Sequence, residues 1–385
     1  MTAPPSPAGD GHRHHPGRGE TLHVFMTADA VGGVFQYACD LAAGLAAHGV
    51  RTTLALLGPA PTAAQQACAT GVPGLTLVSS GLPLDWLADD AGSIREAADA
   101  MAELARRHRA DIVHVNSPAL AGPTHDVPVV AGLHSCLATW WRAVKDGPMP
   151  ADFRWRTDVT ARGLDAADLV VCPSAAFARQ VQEIYGIQPL VVHNGRASAP
   201  PAPPGEASAF VFTSGRLWDE GKNIATLAAA SRLTALPLLA AGALAGPNGA
   251  RAALRDAQAL GLLDDAQVRA CLARQPIFAS AALYEPFGLG VLEAAQAGCP
   301  LVLADIPTFR ELWQGAASFV PPRDAEAFAH AVDRLARDHD LRGERGAAAK
   351  KRAGRYTVAA MAKRMLAVYA AAGAPAALPQ KDVAA

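Results

Sequence analysis

No run of about 18 apolar residues occurs in the 385-residue chain, so no segment reads as a membrane-spanning helix. An apolar leader is missing as well. The first twenty residues, MTAPPSPAGDGHRHHPGRGE, are polar and rich in Pro, Gly and His, and read as a solvated tail, residues 1–20, rather than a signal peptide. A surplus of either charge is missing: 34 Lys+Arg stand against 35 Asp+Glu. That balance excludes the electrostatic footprint of a nucleic-acid binder. Cysteine is scarce, with six residues at 39, 68, 136, 172, 271 and 299, none in a CxxC or knuckle spacing. They read as reduced thiols of a cytoplasmic protein. The GxGxxG and GK[ST] phosphate signatures are absent too.

What is present is apolar material in short blocks. Hydrophobic residues make up 51% and charged residues 18%, which excludes global disorder. The length suggests two domains. Runs rich in Val, Ile and Leu recur at Leu22–Thr27, Thr52–Leu57, Leu75–Val78, Ile112–Val115, Val127–Leu133, Leu169–Cys172 and Leu190–His193. Helical stretches such as Phe35–His48, Ile94–Arg109 and Ala175–Tyr185 lie between them. Continuous apolar strands alternating with helices predict a parallel, doubly wound sheet. The string RASAPPAPPGEASA then reads as a stiff linker. After it the rhythm restarts at Phe210–Thr213, Leu238–Ala241, Ile277–Ala279, Leu301–Ala304 and Phe319–Val320. The stretch between Gly242 and Ile277 reads as lacking a helix. The expected organisation is a Rossmann-like domain over 21–196, a linker over 197–209 and a second Rossmann-like domain over 210–354. A helix over 355–373 closes the second lobe or crosses back to the first, and 374–385 is a tail. A ligand should bind between the lobes, at the carboxyl ends of their strands.

Four strings carry chemistry. Tyr284–Gly298, YEPFGLGVLEAAQAG, runs from a strand into a helix, with Glu285 in the loop and Glu293 eight residues on. Gly288 and Gly290 let backbone N–H groups approach a ligand at the helix N-terminus, and two carboxylates there can accept from sugar and ribose hydroxyls. An acidic helix start that merely complements the dipole is the plainer reading of either Glu alone. Ser214–Asn223, SGRLWDEGKN, places Arg216 and Lys222 six residues apart at a strand mouth, a fork and a point charge suited to a diphosphate. Alone, the two are equally well surface cations. Thr27–Tyr37, TADAVGGVFQY, takes a strand through Gly32-Gly33 into a helix: a phosphate-cradling turn or an ordinary tight one. Ala131–Val144, AGLHSCLATWWRAV, puts His134 at a strand's carboxyl end, either facing the cleft or held as an ordinary structural histidine, and Trp140 and Trp141 either stack on an acceptor sugar or belong to the core.

Taken together, the GGV turn, the strand-end His, GRL…K, EPFGLxxLEA, IPTFREL at Ile306–Leu312 and VVHNGR at Val191–Arg196 resemble the retaining GT-B glycosyltransferases of family 4. The resemblance spans roughly Thr21 to Ala371. It implies two Rossmann-like domains facing each other across a cleft, and transfer of a hexosyl group from a nucleotide-diphosphate sugar to an acceptor hydroxyl of a glycan, a lipid-linked acceptor or a small molecule. It implies roles for the matching residues. Gly33, beside Gly32, gives a backbone N–H to the donor phosphates, and Arg216 and Lys222 neutralise the diphosphate. Glu285 lies beside the transferred sugar, the amides of Phe287, Gly288 and Leu289 near its hydroxyls or the phosphate, and Glu293 holds the ribose. His134 contacts the sugar from the opposite lobe. No metal or cofactor is implied. Two positions depart from the pattern: Ala281-Ala282 replace a usual Pro-Ser, and Arg196 stands where an apolar residue is usual. The competing readings are a GT-B-fold epimerase or phosphorylase, a nicotinamide oxidoreductase and a non-catalytic nucleotide-sugar-binding subunit. Two basic clusters, Arg106, Arg107 and Arg109, and Arg345, Lys350, Lys351, Arg352 and Arg355, read as solvated helix faces or as a peripheral contact with the inner face of a membrane.

Overall fold

The computed structural model describes residues 21–122, 125–198, 209–254 and 256–375. The expected tail 1–20, most of the expected linker and the last ten residues lie outside the described residues.

The first lobe is built on seven parallel strands: β1 His23–Asp29, β2 Arg51–Leu57, β3 Leu75–Ser79, β4 Ile112–Val115, β5 Val129–Gly132, β6 Leu169–Cys172 and β7 Leu190–Val191. Their order is β3-β2-β1-β4-β5-β6-β7. The second lobe has six: β8 Val211–Ser214, β9 Leu238–Ala241, β10 Gln258–Gly261, β11 Ile277–Ser280, β12 Leu301–Ala304 and β13 Ala317–Val320, in the order β10-β9-β8-β11-β12-β13. Both sheets reverse direction beside their first strand. The switch points therefore lie after β1 and β4 in one lobe and after β8 and β11 in the other. Crevices open at such points because the flanking connections leave to opposite faces.

Thirteen α-helices cover the sheets among the described residues. Those of the first lobe are α1 Gly33–Ala46, α2 Ala63–Thr70, α3 Ala91–Arg107, α4 Leu137–Val144, α5 Arg154–Ala166 and α6 Ala175–Tyr185. The second lobe carries α7 Ile224–Ser231, α8 Asp265–Ala273, α9 Leu289–Gln296, α10 Pro307–Trp313, α11 Ala325–Arg337 and α12 His339–Ala353, and the chain closes with α13 Val358–Ala371. β10 and α8 correct the expectation of a helix-free stretch between Gly242 and Ile277. β10 is an exposed edge strand, and α8 buries only Leu272, so neither leaves an apolar signature. A capping box still starts α8: Asp264 accepts from the Gln267 N–H at 2.8 Å, and the Asp264 N–H donates to Gln267 Oε1 at 2.9 Å.

The last helix crosses back to the first lobe. Met361, Met365, Val368 and Tyr369 of α13 are buried with Val24, Met26 and Leu41 in one cluster. Each such side chain contributes about 1.5–3 kcal/mol by leaving water. Gly44 on α1 makes the approach possible, since a Cβ there would lie 2.7 Å from the Ala362 Cβ. The Tyr369 hydroxyl reaches Nδ1 of buried His114 on β4 at 2.7 Å. Chain entry and return lie against each other: a Cβ at Gly195 would stand 2.2 Å from the Thr357 carbonyl oxygen.

Candidate active site

The two switch points face one another. Gly32, with φ 104°, forms the N-cap of α1, a backbone shape that side-chained residues rarely take. A Cβ on Gly32 would come 3.9 Å from Arg216 Nη1 across the cleft. One on Gly33 would come 3.3 Å from Leu289 Cδ1 at the start of α9. The N-terminus of α1 in one lobe therefore meets the N-terminus of α9 in the other, with Arg216 beside the first. Helix N-termini present unpaired N–H groups and partial positive charge, so the place where they meet attracts an anion.

Lys222 approaches the same floor. Its stem lies over Gly215, whose φ is 146°, with a would-be Cβ 3.5 Å from Lys222 Cε. The ammonium is ion-paired with Glu285. Gly288, φ 94°, turns the chain into α9. Phe287 is buried against Tyr356, ring centroids 5.6 Å apart, so it anchors the turn by packing. Arg216 pairs with Asp219 at 3.2 Å, and the other oxygen of that carboxylate accepts from Trp140 Nε1 at 2.9 Å.

His134 closes the first-lobe wall, its ring 4.3 Å from that of Tyr37. Asn116 fixes its tautomer. Asn116 Nδ2 donates to the Thr27 carbonyl at 2.7 Å, so Oδ1 is the amide oxygen, and it lies 2.8 Å from His134 Nε2. Nε2 must carry the proton, which leaves Nδ1 as an acceptor. Burial pushes the imidazole pKa down to about 4, so the ring is neutral near pH 7.

The remaining expected residues are placed differently from one another. Trp140 spends its indole N–H on Asp219 and packs so near Gly221 that a Cβ there would be 2.9 Å from Nε1. It is a bridge between lobes rather than a free stacking face. Trp141 turns away, donating to the Gly147 carbonyl at 3.2 Å and tilting against Phe153. Glu293 is bound by Arg196, Nε to Oε1 2.7 Å. Arg106 and Arg107 of the basic clusters pair with Glu103 on their own helix. One D-x-D spacing, Asp338–Asp340, lies at the start of α12, where Asp338 caps the helix by accepting from the Leu341 N–H at 2.9 Å.

Several contributors escape sequence reasoning. Asp219 lies inside SGRLWDEGKN, between the two cations, and its position there is the signal. Tyr284 precedes Glu285 and inserts into the first lobe beside Phe177 and Val181, its hydroxyl 2.8 Å from Thr139 Oγ1. Glu311, in IPTFREL, accepts from the N–H groups of Ala175 and Ala176 at 2.9 and 2.5 Å and so caps α6 from the opposite lobe. Trp86 donates to Asp29 Oδ2 at 3.0 Å, at the end of β1, and no local pattern announces it.

Residues 31–197 match the family Glycosyltransferase Family 4, and residues 249–352 match Glycosyl transferases group 1. A glycogen synthase of Mycobacterium tuberculosis is 29% identical over 273 residues, covering 64% of this chain and 65% of that protein. The match thus spans a little under two thirds of this curated relative. Among solved structures, Anabaena HepE in complex with UDP-glucose superposes with a TM-score of 0.71 at 19% identity, over 91% of this chain and all of that one. Sucrose-phosphate synthase of Thermosynechococcus elongatus gives 0.70 at 17% identity, over 91% and 98%. At such identities the likeness speaks for the fold.

Proposed function

The chain belongs to the GT-B glycosyltransferases, and from that we propose that it moves a hexosyl group from a nucleotide-diphosphate sugar to an acceptor hydroxyl, with retention at the anomeric carbon and without a metal. The observation that carries the proposal is the meeting of Arg216, Lys222 and two helix N-termini between the lobes. Breaking the bond between C1 and the β-phosphate oxygen throws negative charge onto the diphosphate, and fixed cations and N–H dipoles there lower the barrier. Lys222 is held by Glu285 until a diphosphate competes for it, so donor binding frees Glu285 to accept from a sugar hydroxyl. His134 Nδ1 accepts another. Glu293 takes the ribose diol. In a front-face path the departing phosphate oxygen receives the acceptor proton, and no enzyme carboxylate becomes a nucleophile. Lobe contacts through Tyr284, Trp140 and Glu311 keep water from the donor.

The complexes of HepE with UDP-glucose and the glycogen synthase relative favour a uridine or other nucleoside diphosphate glucose as first donor to try. The acceptor is a glycan, a glycolipid or a small molecule. No described helix is long and apolar enough to cross a membrane, so a lipid-linked acceptor would be met at the surface.

The test is nucleotide release from a panel of nucleotide sugars, with and without glycan and lipid-linked acceptors, followed by NMR of the product anomer. Acceptor-dependent release with a retained anomer is expected. Donor consumption without an acceptor would instead reveal an epimerase or hydrolase, and an inverted anomer would refute retention. Glu293→Gln should raise donor KM more than Glu285→Gln, which should mainly lower kcat.

A further inference from the structure

Arg196 stands where the chain leaves the first lobe, and one guanidinium there meets three carboxylates. Its Nε lies 2.7 Å from Glu293 Oε1 on α9, its Nη1 3.1 Å from Asp40 Oδ2 on α1, and its Nη2 3.3 Å from Asp265 Oδ2 on α8. α1 belongs to the first lobe, α8 and α9 to the second. The side chain is 11% exposed and Asp40 8%. The backbone is held too. The Arg196 N–H donates to the Tyr356 carbonyl at 3.3 Å, and its own carbonyl accepts from Gln296 Nε2 at 3.0 Å. A guanidinium fixed this way is a rigid fork, not a mobile surface cation.

The charges around it are unequal. Asp40, Asp265 and Glu293 face a single cation, while Arg269 reaches Asp265 only at 3.8 Å from the outer side. Gln36 donates to Asp40 at 3.3 Å, and the thiols of Cys39 and Cys68 lie beside that carboxylate. Burial raises the pKa of Glu293, Asp40 and Asp265 push it the same way, and the Arg196 guanidinium opposes them. Removing that one cation leaves the half-buried Glu293 without a counter-charge beside buried Asp40, which favours its protonated form. A protonated carboxyl has lost half of its capacity to accept from a pair of vicinal hydroxyls.

We propose that Arg196 is a positioning residue that keeps Glu293 ionised and aimed at the donor ribose, and that ties this readiness to the docking of α1 through Asp40. The inference rests on the reading of Glu293 as the ribose carboxylate. It makes capture of the nucleotide and approach of the lobes a single event.

Five full-length proteins decide it: wild type, Arg196→Met, Arg196→Lys, Asp40→Asn and Glu293→Gln, each first checked for a cooperative thermal transition. Donor KM and kcat are measured across about pH 5.5 to 8.5. Wild type should show a flat donor KM. Arg196→Met should raise it roughly tenfold at the acid end, where the Glu293 carboxyl left without its counter-charge takes up a proton. That rise should shrink toward the alkaline end, with kcat changing far less. Arg196→Lys should restore most of the acid-side loss. Asp40→Asn, which leaves Arg196 its bond to Glu293, should raise KM severalfold without a new pH limb. A uniform rise in Arg196→Met with the wild-type pH profile would make Arg196 a structural prop and overturn the proposal. So would a fall in KM, which would mean that Arg196 masks the carboxylate. An unchanged KM in Asp40→Asn would remove the link between lobes. If instead Glu293→Gln leaves donor KM untouched at every pH, the ribose reading itself fails, and the inference with it.

Discussion

Arg216 and Lys222 come from one loop, yet each is held by a different carboxylate. Lys222 shares Glu285, which lies in the cleft, and a diphosphate must win it from that partner. Arg216 is backed by Asp219, itself fixed by Trp140, so its guanidinium is already aimed. Lys222→Ala should therefore lower kcat/KM by roughly 10² or more, the scale of losing one charge-stabilising group. Steady-state kinetics check it, and unchanged constants would remove Lys222 from the chemistry. His134 and His114 give a separate residue-scale expectation. Burial holds His134 at about 4 and His114 at about 3, below the ordinary 6.5 of the unfolded chain. Between those limits the unfolded state binds more protons. Their contribution is complete above about pH 6.5 and is lost as pH falls toward the folded values, at up to about 1.4 kcal/mol per pH unit for each histidine. Urea midpoints should drop steadily from pH 7 to pH 5, and a flat curve would contradict the assignment of both rings as neutral.

At the scale of elements, α13 is the test case. Tyr369→Phe removes the hydroxyl bonded to His114 Nδ1, and His114 Nε2 has no hydrogen-bond partner among the described residues. The variant should lose about 1–3 kcal/mol, the cost of a buried polar group left unsatisfied. A thermal melt measures it, and an unchanged Tm would mean the contact carries no weight. The return of α13 to the first lobe was not decidable from the sequence, because an apolar stripe names a buried face and not the surface that covers it. Most strands were legible for the opposite reason: LALL in β2 and LVLA in β12 are buried on both faces and read as continuous apolar runs. β10 and α8 were illegible because they lie largely exposed. The glycine turns and the Arg216, Lys222 and Glu285 strings were legible because each is local. Arg196 was not, since its partners Asp40, Glu293 and Asp265 lie 156, 97 and 69 residues away in sequence. No local spacing encodes such a meeting.

For the whole molecule, the described form has its lobes in contact through side chains that cross the cleft. Tyr284 is buried among Leu133, Phe177 and Val181 of the first lobe, Ser174 Oγ donates to the Pro286 carbonyl at 2.7 Å, and Lys145 pairs with Glu220 at 2.5 Å. Tyr284→Ala removes the deepest of these and should let the lobes part. Small-angle scattering should then show a larger radius of gyration than wild type without donor, and equal curves would assign closure to the other contacts. All of this geometry serves one claim, that the place where the lobes meet is a diphosphate site. Calorimetric titration of wild type and Lys222→Ala with a nucleoside, its monophosphate and its diphosphate tests that claim most directly. Wild type should bind the diphosphate at least tenfold more tightly than the monophosphate, roughly 1.4 kcal/mol for the added charge, and Lys222→Ala should abolish most of the difference. Equal affinity for all three ligands in wild type, or an undiminished preference in Lys222→Ala, would contradict it.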